Sequence, residues 1–332
     1  VPAGSPLGRV IEVAEDGRHL AKDRGFLVVQ SGRDELGRVP LDDVAALITT
    51  ARGTSLSTPL IAALAARGTP IVLCGENFAP TALVFPLAGH HAQQRRIEAQ
   101  IDRTRPMAKR LWAQTVTAKL RAQGAALADF GQPAAALFRL AGHVRSGDPD
   151  NLEAQGARRY WPLLMGPDFR RDSGEPGVNG LLNYGYAVLR AGVARAICAA
   201  GLHPGLGIFH RHPHNPLPLA DDLMEPFRPL VDSEVRRLVA EGVHEVDVAA
   251  KRRLAALLVA DLPTAAGNTP LATCLLRCAA SLAESYIEGV AALAFPHSDP
   301  GGRDGTAGAD EPVGLQDHVD VRDVRPAGDD EA

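Results

Sequence analysis

The sequence predicts an α+β protein in which a small N-terminal β-rich domain is followed by a larger all-α domain. Three observations carry this. Residues 9 to 85 alternate short β-like runs with a single helix, residues 92 to 295 show helical patterns with few strand signals, and the composition after Phe295 turns to Gly, Asp and Pro. These shifts place the domain limits at 1–88, 89–295 and 296–332.

In chain order, Val10 to Val13 and Phe26 to Gln30 read as strands, and Thr58-Pro59 opens a helix that Gly68 ends. Ile71 to Cys74 and Ala82 to Phe85 are further strands, and Pro86 to His91 reads as a linker. Beyond it, Leu111-Trp112 lies on a helix that carries Lys119 and Gln123, and another helix opens after the loop Ser146-Gly147-Asp148-Pro149. Leu181 to Ala200, rich in Ala, Leu and Val, is a helix stopped by Gly201, and Thr269-Pro270 introduces one from Leu271 to Phe295. Residues 296–332 hold ten acidic side chains against three arginines, too polar to bury a core, and are expected to form a disordered acidic tail.

With 332 residues and 45% apolar content the chain can build a sizeable core. It contains no run of about 18 uncharged apolar residues, the length a membrane span needs. Val1 to Gly8 lack the charged and apolar regions of a secretory signal. Cys74, Cys198, Cys274 and Cys278 lie in apolar stretches and read as reduced core thiols, so a cytoplasmic protein without membrane contact is expected. The net charge of −4 conceals a basic segment: His91 to Ala125 carries eight Lys or Arg against Glu98 and Asp102. That segment fits either a track for phosphates or an ordinary solvated helix face.

His210 to Asp232, HRHPHNPLPLADDLMEPFRPLVD, concentrates imidazoles and carboxylates in an otherwise apolar, proline-punctuated stretch. Asp222 and Glu225 are three residues apart, so on a helix both face one way and can converge on one cation. A hard ion such as Mg²⁺ or Mn²⁺ suits carboxylates with one imidazole, and no cysteine lies nearby to favour zinc. The same residues also fit plain structural roles, with Asp221 or Asp222 capping a helix and Glu225 a solvated first-turn acid. Glu153 poses the same alternative. Asp150 and Glu153 have the spacing of a capping box, yet Ala154, Gly156 and Ala157 leave room beside Glu153 for a ligand, and Arg158 and Arg159 follow it.

The core of the 210–232 stretch, Leu219-Ala220-Asp221-Asp222-Leu223-Met224-Glu225-Pro226-Phe227-Arg228-Pro229, resembles the signature of the CRISPR-associated adaptation endonuclease and integrase, in the form associated with type II systems. Other matching segments run in the same order, from Pro40-Leu41-Asp42-Asp43-Val44 and Gly89-His90-His91 to Leu182-Asn183-Tyr184-Gly185-Tyr186, so the resemblance covers roughly residues 8 to 295. It implies a catalytic metal site of Glu153, His210 and Glu225 with Asp222 as an auxiliary acid, holding Mg²⁺ or Mn²⁺. His210 is preferred over His212 and His214 because it follows Gly207-Ile208-Phe209, similar to the family's Gly-x-x-His element. Lys119, Arg158, Arg159 and Tyr184 are then DNA-contact candidates, while Arg228 is assigned to structural ion pairing. The implied partners are double-stranded DNA (protospacer and CRISPR repeat), a second copy in a homodimer, and a small ferredoxin-like adaptation protein completing a heterohexamer. In a type II system the effector nuclease and an accessory adaptation protein join them.

The implied reaction is insertion of protospacer DNA into the CRISPR array by 3′-hydroxyl attack on a repeat phosphodiester. Two other readings stand beside it: a non-catalytic helical DNA-binding or assembly protein whose acids are caps, and a metal-dependent hydrolase of small phosphoesters with an enclosed pocket. Convergence of Glu153, His210 and Glu225 on one place separates the first of these from the integrase.

Overall fold

The computed structural model describes residues 9–13, 15–75, 80–84, 91–210, 213–264 and 267–296, together with a short backbone pairing at 319–320. The linker around residue 88, His212 and the acidic tail, apart from Pro296 and that pairing, lie outside the described residues.

A strand-rich region comes first. A twisted sheet is built from β1 (Arg9–Val13), which pairs parallel with β5 (Val44–Thr49); β5 pairs parallel with β7 (Ile71–Cys74), and β7 antiparallel with β8 (Pro80–Val84). β11 (Val319–Asp320) lies parallel to β1 on the outer edge. The second sheet is a meander of β2 (Arg18–Asp23), β3 (Phe26–Ser31) and β4 (Asp34–Pro40), with the short β6 (Ser55–Leu56) parallel to β2. Arg24 and Gly25, both at positive φ (41° and 90°), make the two-residue turn that joins β2 to β3. Helix α1 (Thr58–Ala66), with Pro59 in its first turn and Gly68 at φ +69° just beyond its end, fills in as the sequence predicts.

β5 is also absent from the sequence reading, and β2 and β4 escape it for a physical reason. β2 (RHLAKD) and β4 (DELGRVP) are mostly polar, with Leu20 the one buried side chain of β2, and they are strands because hairpin turns pair them with β3.

The first core is formed by Ile11, Val13, Leu20, Leu27, Val29, Leu47, Leu60, Leu64 and Ile71. Alternation along β5 and β7 sends Ala46, Ile48 and Val72 to the opposite face, where they join the core of the helical region. One sheet therefore serves two cores.

The helical region comprises α2 (Gln93–Ile101), α3 (Arg105–Asp129), α4 (Ala135–His143), α5 (Leu152–Met165), α6 (Val178–Ala199), α7 (Pro218–Met224), α8 (Arg228–Ala240), α9 (Val248–Ala256) and α10 (Leu271–Glu288). A 3₁₀ turn, Glu225–Phe227, joins α7 to α8. A small antiparallel hairpin, β9 (Asp261–Thr264) and β10 (Gly267–Pro270), is a strand element that the helical reading of this region missed. The last helix is also shorter than predicted. Gly289 at φ +71° ends α10, and the chain then runs back along α3, where Gln114 donates to the Ala291 carbonyl at 2.8 Å and accepts from the Leu293 amide at 2.9 Å. Ala291, Leu293 and Phe295 there are half-buried against the helical core while Val290, Ala292 and Ala294 are exposed, an apolar run that composition does not distinguish from helix. Among the described residues no helix is long and apolar enough to cross a membrane.

The two regions are joined by a buried polar contact as well as by the shared sheet. Glu12 of β1, 4% exposed, accepts from the Lys251 ammonium at 3.1 Å, the Tyr184 hydroxyl at 3.0 Å and the Thr50 hydroxyl at 2.8 Å. Removing one partner of such a buried pair strands the other without compensation. Glu12→Ala is expected to lower unfolding free energy by about 3–5 kcal/mol in urea titrations, with Glu12→Gln intermediate.

Candidate metal and nuclease site

Helix α3 supplies the pillar of the site. Trp112, Thr115, Val116 and Lys119 recur at helical spacing on one buried stripe, so a single face carries an indole at one end and an ammonium two turns later. Gly156 lets α5 come close to α3: a Cβ there would lie 2.2 Å from the Leu120 side chain. The small residues after Glu153, read from the sequence as room for a ligand, thus include one required for helix packing. The close approach brings Glu153 to Lys119, whose Nζ donates to Glu153 Oε1 at 2.6 Å.

The start of α5 settles the capping alternative for Glu153. Asp148 accepts from the Leu152 and Glu153 amides at 2.8 and 3.0 Å, Asn151 accepts from the Ala154 amide, and Asp150 pairs with Arg145. Other residues cap the helix, and the Glu153 carboxylate points to Lys119.

Glu225 enters from the 3₁₀ turn. Pro226 follows it, so the turn lacks one amide donor, and the buried residues on either side fix the turn against α3. Glu225 Oε2 stands 2.5 Å from Lys119 Nζ, and Oε1 is 3.2 Å from the Arg228 guanidinium. Oε2 nevertheless has no partner of proper hydrogen-bond geometry, so its contact with Lys119 is electrostatic in character. Burial pushes the Glu225 carboxyl up, but Arg228 and Lys119 outweigh it and hold it below the usual carboxylate range. Lys119 is the mirror case: burial would lower it, and Glu225 and Glu153 keep it raised.

His210 comes from the loop after α6. Gly207 is required there, because a Cβ would meet the His210 carbonyl at 2.7 Å and Asp222 Oδ2 at 3.1 Å. Asp222 is fully buried. It accepts from the Phe209 amide at 2.8 Å, the His210 amide at 3.3 Å and His210 Nδ1 at 2.5 Å. A carboxylate can only accept, so Nδ1 carries the proton and the Nε2 lone pair of neutral His210 is left for another partner. The hydrogen bond to Asp222 raises the His210 pKa against partial burial, and Glu225 and Glu153 add to it. Asp221 is occupied elsewhere, accepting from Arg190 at 2.8 Å and Asn215 at 2.7 Å. Neither aspartate caps α7.

Of the predicted residues, Glu153 and Glu225 meet on Lys119, while His210, with Asp222 behind its imidazole, lies within electrostatic reach of both carboxylates. Among the described residues no three His, Cys, Asp or Glu side chains stand as a ready metal cage. The Lys119 ammonium lies between the two carboxylates instead. That pairing fits a place that demands positive charge; two carboxylates and an imidazole are a donor set suited to Mg²⁺ or Mn²⁺.

Two of the DNA-contact expectations change. Lys119 is held inside the cluster by two carboxylates, and Tyr184 is 1% exposed with its hydroxyl on Glu12, so neither offers a surface to DNA. Arg158 and Arg159 are exposed on α5. In the basic segment Arg96 and Arg103 donate to the Ala200 and Gly207 carbonyls, bracing the His210 loop, while Arg95, Arg105, Lys109, Arg110 and Arg121 remain exposed. Arg228, besides pairing with Glu225, lies 4.9 Å above the Tyr186 ring, in keeping with its structural assignment.

Sequence reasoning missed a polar layer beneath the site. Asp232 of α8 accepts from Tyr160 at 3.0 Å and from Tyr186 through a short bond. Burial pushes its carboxyl up to about 7 against the pull of both hydroxyls and Arg228. The only sequence signal was the i, i+4 spacing of Arg228 and Asp232.

The fold resembles that of solved structures at low identity. A casposase bound to integration product superposes with a TM-score of 0.74 at 18% identity, covering 88% of this chain and 94% of that one. A Cas1 protein from Thermotoga maritima gives 0.70 at 14% identity, over 87% and 100%. In sequence, residues 11–260 match the family model for CRISPR associated protein Cas1. The CRISPR-associated endonuclease Cas1 of Neisseria meningitidis is 40% identical over 236 residues, 70% of this chain and 77% of that one. Cas1 2 of Rhodospirillum rubrum is 32% identical over 256 residues, 68% and 74% of the two chains. This chain belongs to the Cas1 family.

Two outcomes are expected. Lys119→Met leaves facing carboxylates without their counter-charge, so the melting temperature in EDTA should fall by several degrees and Mn²⁺ should restore more of it than it adds to wild type. For Asp232 the folded-state pKa lies above the unfolded one, so its protonated form contributes stability fully below about pH 4, and that contribution is lost as pH rises through about 7. Asp232→Asn should flatten the decline of melting temperature between about pH 4 and pH 7.

Proposed function

We propose that this chain is a metal-dependent DNA endonuclease and integrase of CRISPR adaptation. The convergence of Glu153 and Glu225 on one buried ammonium, from segments far apart in sequence and with the His210 imidazole within electrostatic reach of both carboxylates, carries this reading. A non-catalytic assembly protein with capping acids has no need of that convergence. An enclosed site for small phosphoesters fits poorly with a His210 side chain that is 42% exposed. Family membership and the endonuclease names of the relatives support the same reading.

Glu153, Glu225 and His210 would hold Mg²⁺ or Mn²⁺, which when bound supplies Lewis-acid polarisation of the scissile phosphate and a lower pKa for the attacking hydroxyl. Asp222 holds the imidazole in one tautomer and one orientation. Arg228 keeps Glu225 ionised in spite of its burial. Arg158 and Arg159, with the exposed cations of α2 and α3, would anchor DNA phosphates beside the site. In integration the 3′-oxygen of a protospacer end forms a new bond to a repeat phosphorus as the bond to the repeat strand's own 3′-oxygen breaks; the proton lost by the attacking hydroxyl is balanced by one gained on the departing oxygen. Water in place of the hydroxyl gives cleavage. Partners under this reading are protospacer and repeat duplexes, a second copy of the chain, and a small Cas2-type protein; solved relatives include a Cas6-RT-Cas1–Cas2 complex.

The test is strand transfer of a 3′-hydroxyl duplex into a supercoiled plasmid bearing the cognate repeat, with Mn²⁺ or Mg²⁺ and with or without the small partner. Glu153→Ala, Glu225→Ala and His210→Ala should each abolish joining while melting and DNA binding persist. Asp222→Asn should cost about 10- to 100-fold, the scale typical of a residue that orients a ligand. Metal-independent joining, or full activity of all three alanine variants, would refute the proposal.

A further inference from the structure

Phe209 sits directly before His210 and is 48% exposed, unusual for a large apolar ring at a polar site. One of its faces is covered: the Trp112 indole stacks on it at a centroid distance of 4.4 Å with the rings 3° from parallel. Both rings meet the His210 imidazole edge-on, at 88° and 89°. Trp112 itself is 1% exposed, so the fold has its buried aromatic without Phe209. The ring is also held in place, because its amide donates to the buried Asp222 and the Gly207 carbonyl, two residues earlier, accepts from Arg103 at 2.5 Å. Along α3, Lys109 and Arg105 stand three and seven residues before Trp112, on the same side of the helix, and both are exposed.

We propose that the open face of Phe209 is a stacking platform for an unpaired nucleobase next to the phosphodiester handled at His210, an inference that rests on the nuclease and integrase reading. A flat apolar ring with cations alongside is the chemistry of sequence-tolerant single-strand binding: the ring takes a base, and the cations take the phosphates that follow. Trp112 holds the ring in one orientation, so little side-chain freedom is lost when a base docks. His210 and Phe209 are consecutive, so a base on the ring would fix which phosphate faces the imidazole. The platform would act on positioning and on site choice, and Phe209 is a positioning residue.

The test uses branched DNA with 2-aminopurine at each nucleotide flanking the branch, in EDTA so that no strand is cut, with wild type, Phe209→Leu and Phe209→Tyr. Wild type and Phe209→Tyr should quench the probe at one position, while Phe209→Leu loses that quenching and binds about tenfold more weakly, the scale of one stacked base, with unchanged melting. Equal quenching by Phe209→Leu, or no quenching by wild type at any position, overturns the proposal. Stacking is read without chemistry, so the two readings fail separately. A wild type that quenches but never joins DNA in the presence of metal refutes the integrase and leaves the platform; one that joins DNA while Phe209→Leu matches it in quenching does the reverse.

Discussion

A lysine ammonium buried between two carboxylates is the constraint around which the helical region is arranged. Removing such charges from water costs several kcal/mol per ion, and only close, well-matched partners offset it. Lys119 finds Glu153 at 2.6 Å and Glu225 at 2.5 Å, and Arg228 balances the second carboxylate. Each partner requires its own piece of backbone. Glu153 depends on Gly156 to bring α5 against α3, and Glu225 depends on the 3₁₀ turn between α7 and α8. Disturbing any of these contacts leaves a charge buried without compensation, so the geometry of the cluster and the packing of four helices are one problem.

The imidazole is held by a different device. His210 lies on a loop, and loops hold position only where their backbone polar groups are satisfied. Here Gln100 donates to the His203 and Leu206 carbonyls, Arg103 donates to Gly207, and Asp222 accepts the amides of Phe209 and His210. The helices deliver acids and an ammonium rigidly; the loop delivers the imidazole through borrowed hydrogen bonds. Asp222 belongs to both, being a residue of α7 that fixes the loop.

Much of this site was legible in the sequence, and the illegible parts share a cause. Asp222 and Glu225 stand out as carboxylates three residues apart in an apolar stretch and Glu153 as an acid beside small residues, while their choice over capping roles, and that of His210 through a Gly-x-x-His element, rests on the family resemblance. Lys119 reads from the sequence as a DNA-contact candidate in a basic segment. Its role comes from the seven-residue spacing to Trp112 on a buried stripe, which matters only once α5 and the 3₁₀ turn are packed beside it. Tyr184 misled for the opposite reason: its place between the ligand segments suggested DNA, whereas its ring is core and its hydroxyl serves Glu12. In the fold, helices with proline starts and glycine stops were readable, while β2 and β4 took their conformation from their neighbours.

The wall between the two cores has a consequence for strand register. On β5, Leu47 enters the strand-rich core while Ala46 and Ile48 enter the helical one, and on β7 Ile71 and Val72 divide in the same way. A sheet with one wet face resists slippage because a slip would expose its apolar side. Here a slip of one residue exposes nothing to water; it exchanges volumes, pushing leucine into a space shaped for alanine and leaving a void in its place. Overpacking on one side and a cavity on the other are both destabilising, so β5 is kept in register by shape in two compartments at once.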